Sequence, residues 1–430
     1  MLGVSLRTRD DVTVELLATA TNQIQHNKLT FMMQTIIFLL SISLVAGFAP
    51  FSSMSMRARM GVNLYRPRQQ STFTEFCMKL GEDEKIIVIG VAADSGCGKS
   101  TFMRRLTKVF GGANVGPLGG GFPQSWETNT LVSDRTTVLC LDDYHLNDRQ
   151  GRKASGLTAL NTAEQKFDLM AEQLGALKAG KTIAKPIYNH VNGTIDAPET
   201  VTPTPIVIIE GLHPLVDDRV RSLLDFTIYL DISDEIKFAW KIQRDMAERG
   251  WTLEQVKADI EKRKPDFASY VAPQMQYSDI VISVLPSEIS TQPVGTHLKV
   301  KLVQKIGKEG LPPAFILDPV SSVTVVPDKA VVKADPTSGL VLKSYKEKFF
   351  GHDVAVLEMD GKITDINDYL SIEKFISDSA AKTPTELSSE LIKVGPNSPG
   401  SMDGTGLFQT ITALKLRNYY EYATGKQIGA

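Results

Sequence analysis

Residues 86–101, which read IIVIGVAADSGCGKST, constrain the fold of this chain more than any other stretch. An apolar, β-branched run passes through small residues into Gly-Lys-Ser-Thr, which is typical of the strand, loop and helix start of a phosphate-binding P-loop. Glycines let backbone N–H groups face a phosphate, and the start of a helix adds partial positive charge. The sequence therefore predicts a nucleotide site, although Ala93 stands where the strict pattern has its first glycine.

Two side chains of this loop have separate predicted roles. Lys99 is expected to reach the β- and γ-phosphates, and Ser100 is expected to ligate Mg²⁺. The alternative is a turn of small residues before an ordinary helix, but Lys-Ser-Thr stands at the P-loop offset behind a buried-strand pattern. The predicted nucleotide-binding residues are Asp94, Ser95, Gly96, Cys97, Gly98, Lys99, Ser100 and Thr101.

The chain beyond this loop has the pattern of an α/β protein. Residues 136–141, 205–211 and 226–232 are apolar runs typical of buried strands, and helical stretches at 163–178 and 234–264 separate them. This alternation predicts a doubly wound, mostly parallel sheet with helices on both faces.

The pattern changes beyond residue 286. Short β-branched alternations at 297–304, 323–326 and 354–359 predict an antiparallel C-terminal extension, and residues 407–422 predict an amphipathic helix that packs on the core. Residues 111–134 are rich in Gly, Pro and Ser and predict a loop that covers the nucleotide. The predicted division is a presequence at 1–74, a core at 75–285 and a C-terminal region at 286–430.

The first 74 residues are typical of a targeting sequence. Residues 35–48 are an uncharged apolar run of 14 residues, which is short for a membrane span and suits a signal-peptide core. Residues 48–74 contain four Arg and no Asp or Glu, as transit peptides do. The pair resembles the bipartite presequences of algae with secondary red plastids, so we expect a plastid stroma location. The alternative is a membrane anchor.

Overall charge excludes one class of partner. The chain has 430 residues, a formal net charge of -2 and a pI near 6.3, so it carries no general basic field and nucleic acid is not an expected partner. No membrane contact is expected of the mature chain either.

Carboxylates and basic residues follow the predicted strands. Asp142 and Glu210 stand at two strand ends, where open α/β sheets bind ligands. Lys241, Arg244 and Arg249 belong to the charged helix at 234–264 and could neutralise charge on a phosphoryl group in transfer. The alternative for this helix is an ordinary solvated face.

Several stretches together resemble the phosphoribulokinase family, which uses Mg²⁺ and ATP to convert ribulose 5-phosphate to ribulose 1,5-bisphosphate in the Calvin cycle. The resemblance covers roughly residues 84–421. The stretches are AADSGCGKSTFMRRL, LCLDDYHLNDRQGRK, KPIYNHVNG, IEGLHPLVDDRVR, DFTIYLDIS, KFAWKIQRDMAERG, RKPDF and GTGLFQTI. The resemblance implies a P-loop kinase fold and a homodimer.

The resemblance also implies roles for single residues. Asp142 becomes the catalytic carboxylate, which accepts or orients the attacking hydroxyl proton, with water-mediated Mg²⁺ binding as the alternative. The position of Glu210 after a buried strand, like that of a Walker-B acid, separately predicts a metal ligand, with an ordinary strand-end carboxylate as the alternative. The catalytic set is Asp142, Lys99, Arg244 and Arg249; the substrate set is His145, Arg149, Arg152, Tyr188, His190 and Lys241; the metal set is Ser100, Glu210 and Asp142.

Two of the three cysteines fall inside this site. Cys97 lies in the P-loop at a helix start, where a thiolate is favoured, and Cys140 stands two residues before Asp142. In the photosynthetic family the matching pair forms a disulfide that thioredoxin reduces, so the resemblance implies a redox switch; the alternative is two small buried apolar residues. Because no cysteine follows Cys140, a complex with glyceraldehyde-3-phosphate dehydrogenase is not expected.

Three other functions were weighed against this one. A uridine or nucleoside kinase shares the P-loop but gives no reason for the cysteine pair or the plastid address. A P-loop GTPase is disfavoured because the chain has no Asn-Lys-x-Asp signature. A catalytically dead regulatory subunit is disfavoured because Lys99, Ser100, Asp142 and Arg244 are all present.

Overall fold

The computed structural model describes residues 84–428, with gaps at 95, 112–115, 119–129, 134, 191, 317–322, 327–328, 336–339, 364–365, 394–399 and 401. The predicted presequence at 1–74, Cys77 and most of the predicted nucleotide cover lie outside the described residues. Within the described part, no helix combines the length and the apolar character that a membrane crossing requires.

The elements are numbered in chain order within the described residues. The strands are β1 Ile87–Ala93, β2 Gly116–Leu118, β3 Thr130–Val132, β4 Thr136–Cys140, β5 Ile183–Tyr188, β6 Ile195–Val201, β7 Ile206–Gly211, β8 Phe226–Ile232, β9 Ile280–Pro286, β10 Leu298–Lys305, β11 Phe315–Ile316, β12 Val323–Val326, β13 Lys329–Asp335, β14 Leu340–Phe349, β15 His352–Asp360 and β16 Ile376–Ser377. The helices are α1 Lys99–Phe110, α2 Arg149–Ser155, α3 Phe167–Lys178, α4 Asp218–Arg221, α5 Asp234–Arg249, α6 Leu253–Asp266, α7 Ile366–Glu373, α8 Glu386–Lys393 and α9 Gly404–Thr424.

One large sheet organises the described part of the chain. Its order is β12-β13-β14-β15-β10-β9-β8-β1-β7-β4-β3-β2, and the five central strands β4, β7, β1, β8 and β9 run parallel. The strands that flank this centre pair antiparallel. The arrangement confirms the predicted α/β class with a mostly parallel central sheet.

Helices cover both faces of the parallel centre. All seven residues of β1 are buried, as expected of a strand that has no solvent face. Ile87 and Ile89 pack into one apolar cluster with side chains of α1 and α9, whereas Ile86 and Val88 pack into another with side chains of α3. Because neighbouring residues of a strand point to opposite faces, this alternation places α1 and α9 on one face and α3 on the other.

The C-terminal region continues the same sheet. β10 pairs antiparallel with β9, which carries the sheet across residue 286 into β15 and β14. The helix predicted at 407–422 is α9, which packs against α1, α8 and β10. Its prediction as amphipathic is wrong, because these neighbours bury the helix on most of its sides.

Four sequence predictions need local correction. The strand predicted at 136–141 ends at Cys140, because residues 141–144 turn into a 3-10 helix. The helix predicted at 163–178 begins at Phe167, after a 3-10 turn. The helix predicted at 234–264 divides into α5 and α6, since Gly250 adopts a left-handed φ of 66°. The loop predicted at 111–134 contains β2 and β3, and the β5–β6 hairpin was not predicted.

Candidate active site

The P-loop joins β1 to α1. Gly98 precedes the helix with a φ of +79°, a conformation that glycine adopts at no steric cost. No side chain caps this helix start. Its first N–H groups have no partners four residues earlier within the helix, so they form an anion site at the carboxyl end of a central strand.

Lys99 and Glu210 form an ion pair at the carboxyl end of the central strands. The Lys99 Nζ lies 3.2 Å from the Glu210 Oε2, and Glu210 is in register with Val91 on the adjacent strand. Burial lowers the pKa of Lys99, but the carboxylates of Glu210 and Asp142 more than offset this, and the net shift is upward. The lysine is therefore a permanent positive charge at the phosphate site.

The residues present fit a Mg²⁺ ion bound together with a nucleotide. The Glu210 Oε2 is buried beside the P-loop and lies 3.2 Å from the Lys99 Nζ, so a carboxylate stands next to the ammonium that would contact the phosphates. Within the described ranges, no group of three or more His, Cys, Asp or Glu residues could hold a metal by itself. Mg²⁺ is usually held by one or two carboxylates together with substrate phosphates and water, and Glu210 is a candidate carboxylate for it.

Asp142 lies in the 3-10 turn after β4, and β4 is the neighbour of β7 in the sheet. Burial opposes its ionisation, while His145, His190 and Lys99 favour it, and the resulting pKa of Asp142 is below its ordinary value. Burial lowers the pKa of His145 to about 4, so this imidazole is neutral at pH 7. Near neutral pH His145 therefore adds no positive charge at Asp142, while Lys99 and Arg152 favour the ionised carboxylate.

A cluster of basic and aromatic side chains surrounds Asp142. The His190 Nε2 is 4.0 Å from the Asp142 Oδ2, and the Tyr188 ring contacts the rings of both His190 and His145 edge-on. Arg152 donates to the Tyr188 hydroxyl at 2.6 Å. The fold thus brings together side chains from three segments, at 142–145, 149–152 and 188–190.

The tip of the β5–β6 hairpin holds Arg149 in this cluster. The Arg149 Nη2 donates to the His190 carbonyl at 2.7 Å, and the Arg149 N–H donates to the Gly193 carbonyl at 2.8 Å. Gly193 has a φ of +80°, and a Cβ there would come within 2.6 Å of the Arg149 side chain. The hairpin therefore needs glycine at this position for both conformation and space.

The remaining sequence-predicted cations lie on helix α5. Lys241 is buried, and its Nζ lies 2.8 Å from Asp245 and 2.9 Å from Asp259, so its charge is neutralised between α5 and α6. Arg244 and Arg249 belong to α5, but their side chains lie outside the described ones. The substrate role of Lys241 and the catalytic roles of both arginines stay predictions.

Two other cations of these helices contact the P-loop, and sequence reasoning missed both as site residues. The Lys237 Nζ is 3.3 Å from the Asp94 Oδ2, and the Arg263 Nη2 is 3.5 Å from the Asp94 Oδ1. They line a cavity of about 240 Å³ together with Phe267. The charge run on the helix was visible in the sequence, but only the packing of α6 against α5 shows which residues reach the loop.

The two cysteines of the site are free thiols in this structure. Burial raises the pKa of Cys97 far above the ordinary value, with Asp94 adding to the shift. The prediction of a favoured thiolate at Cys97 is therefore wrong for this conformation, because burial outweighs the helix start. Burial also raises the pKa of Cys140, with Glu210 and Asp142 contributing.

Comparison with known proteins identifies relatives over most of the chain. The family described as phosphoribulokinase / uridine kinase matches residues 88–290. A chloroplastic phosphoribulokinase of Mesembryanthemum crystallinum is 52% identical over 353 residues, which cover 82% of this chain and 87% of the relative. That of Chlamydomonas reinhardtii is 49% identical over 348 residues, covering 81% and 91%. A uridine kinase of Limosilactobacillus reuteri is 29% identical over 207 residues, covering 48% and 86%.

Proposed function

The chain belongs to the phosphoribulokinase family, and on that premise we propose that its site transfers the γ-phosphoryl group of ATP to ribulose 5-phosphate, giving ribulose 1,5-bisphosphate. The observation that carries the proposal is that Asp142 lies near both Lys99 of the P-loop and the Arg152 and His190 side chains of the neighbouring cluster.

The part of the site around the P-loop, called the nucleotide half below, would bind and polarise ATP. The N–H groups at the start of α1 and the Lys99 ammonium would contact the β- and γ-phosphates. Ser100 and Glu210 would hold Mg²⁺, which, when bound, neutralises charge on the phosphates. Lys237 and Arg263 would extend the positive surface beside the P-loop from the helices α5 and α6.

The part of the site around Asp142 and the β5–β6 hairpin, called the sugar half below, would orient the acceptor ribulose 5-phosphate. The unreactive 5-phosphate would pair with Arg149 and Arg152, because guanidinium groups match phosphate oxygens in planar geometry. The attacking hydroxyl oxygen forms the new bond to the γ-phosphorus, and the bond to the oxygen bridging the β- and γ-phosphates breaks. The hydroxyl proton passes to the ionised Asp142 carboxylate, whose low pKa favours orientation of the hydroxyl over early proton removal.

A uridine kinase is the alternative function. Its substrate carries no phosphate, so the arginines beside Asp142 would have no anion to bind. An ADP-release assay on ribulose 5-phosphate and on uridine tests the choice. Turnover with the sugar phosphate and at most slow turnover with uridine supports the proposal, and the reverse preference would reject it.

Location and assembly extend the proposal. The two phosphoribulokinases described above are named chloroplastic, which supports a plastid location. Residues 1–74 would be the bipartite presequence. We expect a homodimer, and light-scattering mass measurement on the mature chain tests this.

Redox control belongs to the same proposal. Cys97 belongs to the P-loop and Cys140 ends β4, two residues before Asp142; a disulfide between them would obstruct the nucleotide, and thioredoxin would be its reductant. Oxidation should inactivate the wild type and spare Cys140→Ser. Two free thiols by mass spectrometry after full oxidation, with unchanged activity, would reject the switch and leave the kinase function untouched.

A further inference from the structure

A buried ion pair, with a third and slightly exposed charge beside it, lies next to Asp142 and has no part in the mechanism above. The Lys185 ammonium forms a short ion pair with the Asp143 carboxylate, and neither side chain has any exposed surface. The Lys185 Nζ also lies 3.0 Å from the Glu199 Oε1. Charges without water are costly unless they are paired and hydrogen-bonded, and this cluster provides both.

The cluster joins three separate segments of the chain. Asp143 belongs to the 3-10 turn that carries Asp142, while Lys185 and Glu199 face each other across β5 and β6. The two oxygens of Asp143 have different partners: one pairs with Lys185, and the other accepts the backbone N–H of Tyr188 at 2.8 Å. The turn that carries the catalytic carboxylate is thus fastened to the hairpin that carries Tyr188.

The two adjacent carboxyl groups of this turn have pKa values that are shifted in opposite directions. Burial raises the pKa of Asp143 to about 7, although Lys185 and the Tyr188 N–H oppose the rise. The neighbouring Asp142 has a lowered pKa. One Asp143 oxygen pairs with the Lys185 ammonium and the other accepts the Tyr188 N–H, so loss of the ammonium would leave a buried carboxylate without its charged partner. The hairpin would then lose its charged contact with the turn.

Stability alone does not account for the cluster. A buried ion pair can often be replaced by apolar side chains of similar volume without loss of stability, so its retention fits a role in fixing one geometry. We propose that Asp143 and Lys185 are positioning residues, which fix the β5–β6 hairpin to the Asp142 turn and thereby place Tyr188 and His190 against the sugar phosphate. This inference rests on the proposed function.

The test is a comparison of two lysine variants in the full chain. Lys185→Met should raise the KM for ribulose 5-phosphate by about 10-fold or more and change the KM for ATP by less than about twofold, because a displacement of roughly 1 Å already weakens catalysis strongly. Lys308→Met is the matched control. It breaks a part-buried pair with Asp279, with a 2.6 Å Nζ–Oδ2 distance, and should lower the melting temperature without changing either KM.

A double-mutant cycle separates positioning from general loss of stability. Asp143→Asn keeps an oxygen for the Tyr188 N–H but turns an NH₂ group toward the ammonium of Lys185. Asp143→Asn/Lys185→Met removes that conflict, so its KM for ribulose 5-phosphate should rise less than the product of the two single effects. A multiplicative result would reject the coupling that the proposal requires.

Two outcomes distinguish this inference from the function on which it rests. If the wild-type protein phosphorylates ribulose 5-phosphate and Lys185→Met leaves both KM values unchanged, the inference is overturned and the proposed function stands. A wild type that leaves ribulose 5-phosphate unphosphorylated overturns both. If Lys185→Met does not fold, Glu199→Gln replaces it in the test. A rise of about threefold in the KM for the sugar phosphate alone supports the positioning role, and equal changes in both KM values reject it.

Discussion

The two halves of the proposed active site are built in different ways. The nucleotide half comes chiefly from one contiguous segment, in which β1, the P-loop and the start of α1 follow each other directly. The sugar half comes from three segments, which the β5–β6 hairpin and the turn at Asp142 bring together. Local geometry therefore forms the first half, whereas tertiary contacts must assemble the second.

This difference predicts different sensitivities to substitution. In the nucleotide half, backbone N–H groups are intrinsic to the loop. Ion pairs join the loop to a neighbouring strand through Lys99–Glu210 and to α5 and α6 through Asp94. In the sugar half, each ligand depends on another residue for its position: Arg152 on Tyr188, Arg149 on the hairpin tip. Substitutions that do not touch substrate should therefore impair sugar binding more readily than ATP binding.

The largest expected effect lies where the halves meet. Asp142→Asn keeps the shape of the side chain but removes the acceptor for the hydroxyl proton, so kcat should fall by about 10²- to 10⁴-fold. Both KM values should stay close to those of the wild type. Steady-state kinetics measures this, and a wild-type kcat in the variant would remove Asp142 from the mechanism.

A smaller and one-sided effect is expected at Arg149. Arg149→Ala should raise the KM for ribulose 5-phosphate roughly 10- to 100-fold and spare that for ATP, because it removes charge-assisted contacts to the unreactive phosphate. Arg219→Ala is the control, since Arg219 is an exposed arginine paired with Asp168 and Asp217. A change confined to ATP affinity in Arg149→Ala would assign the arginine to the other half.

The smallest effect concerns acid stability. Burial lowers the pKa of His145 and of His213 to about 4, from 6.5 in the unfolded chain. The unfolded state then binds more protons, so stability is full above pH 6.5 and is lost as pH falls toward 4. Each histidine should contribute a loss of about 1 kcal/mol between pH 7 and 5.5. Urea unfolding at pH 7 and at pH 5.5 measures this loss of stability. His145→Gln should lose less stability between the two pH values than the wild type does. An equal loss in the variant and the wild type would mean that His145 is not buried as a neutral imidazole.

The contrast between the halves also explains what the sequence could predict. The P-loop and the strand ends can be predicted from the sequence because hydrophobic runs and turn residues are local signals. Tyr188 and His190 were assigned from the family resemblance, because the hairpin that carries them was not predicted. Lys185 and Glu199 alternate with ordinary strand residues, and nothing local distinguishes a buried ion pair from a solvated one.

Burial explains the remaining differences. Helix-start position favoured a thiolate at Cys97, but the surrounding core reverses that preference. The basic residues of α5 and α6 looked equivalent in sequence, yet packing pairs Lys241 with two aspartates and places Lys237 and Arg263 against Asp94. These outcomes depend on which elements pack together, and that information is not present in the local pattern.

The most direct test of independent halves is calorimetric binding of ribulose 5-phosphate to protein without nucleotide. The side chains proposed to bind ribulose 5-phosphate hold one another in position, Arg152 against Tyr188 and Arg149 against the His190 carbonyl, so the wild type should bind without ATP. Lys99→Met should keep the wild-type Kd, and Arg149→Ala should weaken it by roughly 10-fold or more. Binding only in the presence of nucleotide, or equal weakening in both variants, would contradict the account.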